Sequence, residues 1–130
     1  MALKITTKTE EYDYIPLSER GEDSPFTVKL RRLTPKEFAF VEDKMIKMYG
    51  DMSMSYSTGS YNWAIVKKGI VDWKNLVDDK NKPVKPVIGS EGITDDSLNL
   101  LPTEIITELA NVITGITKDP EQAKLFLGED

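Results

Sequence analysis

The chain has 130 residues, 39% hydrophobic and 30% charged, with a net charge of −5, which suits one domain with a modest core and generous loops. Histidine and cysteine are both absent, so disulfides, thiolate nucleophiles, the usual zinc ligands and imidazole acid–base chemistry are excluded. Acids and bases balance over residues 1–50 and the acidic excess lies in 51–130, so neither part offers the positive surface that a phosphate backbone needs. The N-terminal Met1–Lys8 stretch lacks an apolar run of signal-peptide length. Nothing approaches the roughly 20 apolar residues that cross a bilayer. The expectation is a cytoplasmic chain that binds neither nucleic acid nor membrane.

Residues 1–33 read as β structure. Lys4–Thr9 is rich in threonine and Glu11–Ile15 alternates polar with apolar side chains, both suited to half-buried strands. Pro16 bars a central ladder position, and Ser18–Pro25 carries turn residues. Phe26, Val28 and Leu30 then alternate with Thr27, Lys29 and Arg31, the clearest strand pattern in the chain. A hairpin or small meander ahead of the helices follows.

The sequence Thr34-Pro35-Lys36-Glu37 matches a capping box, with Pro35 at the first helical position and Leu33 and Phe38 placed as a hydrophobic staple. Phe38, Val41, Met45, Met48 and Tyr49 recur at helical steps, which predicts a helix stopped at Gly50. Asp51–Ser60 reads as a polar loop, though its methionines could also form an adaptable partner surface. A second helix is predicted from Ser60 to Lys68, with Gly69 as a left-handed stop. Gly69–Leu76 reads as a short strand or a turn. A polar turn at Asp78–Pro83 and a long connection over residues 83–92 follow. Pro102 opens a helix in which Ile105, Ile106, Leu109, Val112, Ile113 and Ile116 keep helical spacing. Asp119-Pro120-Glu121-Gln122 repeats the cap logic before a short terminal helix with Leu125, Phe126 and Leu127. The predicted fold is α+β in one domain, 1–130: a β segment over 1–33, then about four helices with a short strand or turn near 69–76.

Chemistry is sparse in this pattern. The pairs Asp78-Asp79 and Asp95-Asp96 fall in predicted loops, where adjacent acids ordinarily serve as solvating residues. An EF-hand starting at Asp79 fails, since Val84 and Ser90 occupy the positions that need Gly and Glu. Gly21, Gly59 and Gly69 stand alone, so no phosphate loop forms. Arg31-Arg32 and Lys67-Lys68 read as solvated faces or salt-bridge partners. Trp63 and Trp73 each fit either an interface anchor or a partly buried core. The expectation is a protein-binding module with no catalytic, cofactor or metal site.

The span Asn62–Gly128 resembles the tail assembly chaperones of long-tailed phages and prophages. The resemblance rests on Gly69-Ile70-Val71-Asp72-Trp73-Lys74-Asn75-Leu76, the acidic turn Val77–Pro83, the Leu101-Pro102 start of an amphipathic helix and an acidic terminal helix. Upstream, Tyr14–Arg20, Pro25–Leu30 and Leu33–Glu37 are similar in the same order. The resemblance implies a non-enzymatic protein of virion morphogenesis in the host cytoplasm. It would bind the tape-measure protein and help recruit tail-tube subunits, with self-association left open. Candidate contact residues are Met48, Met52, Met54, Trp63, Trp73, Leu109 and Phe126. The alternative is a structural virion component of the neck, tail or baseplate.

Overall fold

The computed structural model describes residues 10–48, 54–56 and 58–119, with the side chains of 44–48, 54–56, 58 and 60 outside that description. The expected strand at Lys4–Thr9 and the terminal helix after Asp119 fall outside it as well. Strand β1, Glu11–Tyr14, ends where Pro16 withholds an N–H, and a 3-10 turn at Leu17–Glu19 reverses the chain. Glu19 steadies the return by accepting the Phe26 amide at 3.1 Å. Strand β2, Thr27–Arg31, pairs antiparallel with β1, Tyr14 opposite Val28 and Tyr12 opposite Leu30. Val28 and Leu30 are fully buried on the face the alternation assigned to the core.

Helix α1, Pro35–Met45, starts where the capping box places it. The Thr34 hydroxyl accepts the Glu37 amide at 3.2 Å, and Glu37 Oε1 accepts the Thr34 amide at 3.0 Å. The far end is a correction to the predicted helix. It stops at Met45 rather than running to Tyr49, and Ile46–Met48 (β3) pairs antiparallel with Met54–Tyr56 (β4). Met52-Ser53-Met54-Ser55-Tyr56 alternates with period two, so a two-residue repeat prevails where helical spacing and a polar loop were expected.

Helix α2, Thr58–Gly69, leads directly into strand β5, Ile70–Lys74. Gly69 is no left-handed stop, because the glycines with positive φ among the described residues are Gly21 and Gly92. Its role is proximity. A Cβ at Gly69 would lie 2.5 Å from Ile113 Cδ1, inside any normal contact. Strand β5 resolves the strand-or-turn alternative and completes a three-stranded antiparallel sheet in the order β1-β2-β5. The third strand thus enters from beyond α2. Its register slips between Lys29 and Leu30: Lys29 faces Asp72 but Leu30 faces Ile70, leaving Val71 as the extra residue. Strict alternation would send Ile70 and Trp73 to opposite faces. The bulge lets both enter the core, at 3% and 2% exposure.

Asp78 organises the polar turn by accepting the amides of Lys80 and Lys82 at 2.8 and 2.9 Å. The connection expected over 83–92 contains a small hairpin, β6 Ile88–Gly89 with β7 Gly92–Ile93. Asp95 and Asp96, expected in a loop, instead open a four-residue helix, α3 Asp95–Leu98, capped by the Thr94 hydroxyl. The reason is local: Thr94 is a good N-cap and two acids suit the positive end of a helix. Helix α4, Thr103–Lys118, carries the predicted stripe, with Pro102 one position earlier than expected, at the N-cap. Ile106, Leu109, Ala110, Val112, Ile113 and Ile116 are buried against α2 and β2. Each fully buried aliphatic side chain contributes about 1.5–3 kcal/mol. The Glu108 carboxylate ties this helix to the N-terminal segment, accepting from the Tyr14 hydroxyl and from the Leu17 amide at 2.9 Å.

Candidate functional site

A broad concavity lies between α1 and α2. It starts with the end of β2, where Arg31 donates both terminal nitrogens to Glu37, at 2.9 and 2.7 Å. Glu37 also closes the capping box, so one carboxylate locks the strand to the first turn of α1. The Arg31 guanidinium and the Thr34 groups hold its carboxyl down at about 2, against the smaller opposing effect of burial. Locked at this angle, α1 turns Ala39, Phe40 and Asp43 towards an open groove of about 1340 Å³, floored by fully buried Val41.

Helix α2 supplies the opposite wall with Trp63, Ala64, Lys67 and Lys68. Asp95 Oδ1 accepts the Trp63 indole N–H at 2.8 Å and the Lys67 ammonium at 3.2 Å. Those two bonds, the indole first, lower the Asp95 pKa. Behind it, the β6–β7 turn sits on α2: a Cβ on Gly92 would collide with the Lys67 carbonyl, and its φ of 107° is in the range that favours glycine. Ile93 next to it is fully buried. The rim carries Lys36 and Lys68 beside Asp43 and Glu91, while the ion pairs of the described residues are Arg31–Glu37 and Lys67–Asp95. Both basic doublets therefore contribute a salt-bridge partner, as their sequence suggested.

The groove exceeds the roughly 300–1,000 Å³ usual for a small-molecule site and is open along its length. Its two perturbed carboxyls, Glu37 and Asp95, are shifted down, away from the raised value a general acid near neutrality needs. Among the described residues, no cluster of three or more potential ligands could hold a metal ion, and no helix is long and apolar enough to cross a membrane. Phe40, at 57% exposure, is the large apolar side chain most open to solvent along the groove. That combination suits an extended apolar surface of another macromolecule.

The residues singled out in the sequence separate into three groups. Trp63 lines the groove. Trp73 and Leu109 are core residues, at 2% and 0% exposure. Trp73 packs edge-on against Phe26 and donates its indole N–H to the Val84 carbonyl at 2.8 Å. These two are corrected out of the contact surface, because the bulge and the α4 stripe turn them inward. Met48 and Met54 belong to the β3–β4 hairpin between the two groove helices, with side chains outside the description; Met52 and Phe126 lie outside the described residues. Phe40 and Asp95 were missed. Phe40 left a signal, since an aromatic two positions after Phe38 falls off the buried stripe. Asp95 left none, because its partners lie 28 and 32 residues away. Compared with protein-family models, curated proteins and solved structures, the chain matches none, so the groove and the ordered sequence motifs carry its functional reading.

Proposed function

We propose that this protein is a non-enzymatic tail assembly chaperone of a long-tailed phage or prophage. It binds the tape-measure protein in the host cytoplasm, keeps that protein's apolar helical segments dispersed and helps bring tail-tube subunits to them. The observation that carries the reading is the open α1–α2 groove, which Phe40, at 57% exposure, and Trp63 both line. An amphipathic helix of a long helical client lays its apolar stripe into such a groove. The net charge of −5 keeps the complex dispersed by repulsion. The ordered resemblance of residues 14–37 and 62–128 supplies the identity of the client.

Co-expression with the tape-measure protein of the same genome tests this. The client should be soluble and co-purify with the wild-type chain, and aggregate with Phe40→Ser. A client equally soluble with and without the chain sinks the reading. Mass spectrometry of purified particles addresses the structural alternative, because a stoichiometric amount in mature virions identifies a tail, neck or baseplate subunit.

A further inference from the structure

Trp63 is held in a way that a passive wall residue does not require. One oxygen, Asp95 Oδ1, takes both the Trp63 indole N–H and the Lys67 ammonium, and those residues are four apart on α2, one helical turn. The carboxylate is itself fixed from behind. Thr94 caps α3, Ile93 is fully buried, and Gly92 lies against the Lys67 carbonyl. A short helix distant in sequence is thus clamped onto α2, with the Trp63 ring at its edge.

Resting on the groove as the client surface, we propose that Asp95 is a positioning residue that presets the Trp63 indole as a groove wall for one apolar helix of the client. Binding through a ring already held in place avoids the ordering cost of a free side chain. The rim charges fit the same occupant. Lys36 and Lys68 beside Asp43 and Glu91 have no ion-pair partner among the described residues. A helix bearing charges of both signs beside its apolar stripe complements them, whereas a uniformly charged segment meets repulsion from one set.

The two tryptophans make this testable within one molecule, since the Trp73 indole donates to Val84 O and serves as reference. In Asp95→Ala, the Trp63 indole N–H resonance should move towards the free-indole position while that of Trp73 stays. Asp95→Asn, which keeps an acceptor, should restore most of the shift. Affinity for the purified tape-measure protein should fall about 3–10-fold in Asp95→Ala, the scale of one hydrogen bond. In a Trp63→Phe background, which lacks the N–H, the same Asp95→Ala change should cost nothing further. An unmoved Trp63 resonance, a moved resonance with unchanged affinity, or an equal loss in the Trp63→Phe background overturns the proposal. A wild-type chain that fails to retain the tape-measure protein refutes the client reading, while the indole resonances still decide whether Asp95 orders Trp63.

Discussion

The two sides of the molecule use their apolar residues in opposite ways. On one side α4, β2 and β5 enclose Leu30, Ile70, Trp73, Leu109 and Ile113, each at 3% exposure or less. On the other, α1 and α2 meet over Val41 but leave Phe40 at 57% exposure beside a charged rim. The first side spends its hydrophobic surface on stability, so its side chains are interchangeable only with others of like volume. The second keeps a solvent-exposed aromatic side chain on a locked frame. Side chains that hold the fold and side chains that would hold a partner are therefore separable by mutation.

The sharpest test of that separation is in the core. Ile113→Ala should lower unfolding free energy by about 2–5 kcal/mol, read from urea denaturation. A loss below 1 kcal/mol would mean that the α2–α4 packing is looser than described. Gly69→Ala comes next, with about 1–3 kcal/mol of destabilisation from forcing a methyl against Ile113. Combined with Ile113→Val it should cost less than the sum, because the same space is contested.

Acid titration probes the frame of the groove. The Glu37 carboxyl, about three-quarters buried by side-chain area, titrates at about 2 in the folded chain, below the ordinary 4.5. Its folded value is depressed, so its stabilisation is complete above the ordinary value and drains away as pH falls from about 4.5 towards 2. Glu37→Gln should flatten that limb of the stability–pH curve and cost about 1–2 kcal/mol at neutral pH. An unchanged limb would show that the Arg31 pair does not hold the Glu37 carboxyl down. The smallest stability effect belongs to the groove itself. Phe40→Ser should move unfolding by no more than about 1 kcal/mol while abolishing client solubilisation, and a larger loss of stability would break the comparison.

What could be read in advance was local. The Thr34–Glu37 cap needs only residues three apart, and both of its bonds are present. The alternation of Phe26–Arg31 and the stripe of α4 are likewise contained in one window of sequence. The misreadings share a different cause. Ile70-Val71-Asp72-Trp73 looks irregular until the bulge shifts its phase, and the bulge is a property of β2 and β5 together. Gly69 was read through backbone conformation, whereas its selection is by the space Ile113 leaves. Ile46–Met48 fits helical and strand repeats equally over three residues, so its pairing with Met54–Tyr56 decides. The groove itself depends on Glu37 gripping Arg31 and on Asp95 reaching α2, contacts that join separate elements.

The placement of β5 beside β2 has a consequence for the order in which the protein takes shape during synthesis. Lys29 and Asp72 are neighbours in the sheet but 43 residues apart in the chain. Until the ribosome has released β5, β2 presents an unpaired edge with Val28 and Leu30 on its inward face, the kind of surface that joins to another nascent chain. The helices α1 and α2, built from short-range contacts, form sooner. A fragment ending before Ile70 should accordingly aggregate through its hairpin, and a pause in translation well beyond Lys74, once β5 has left the ribosome, would give the sheet time to close.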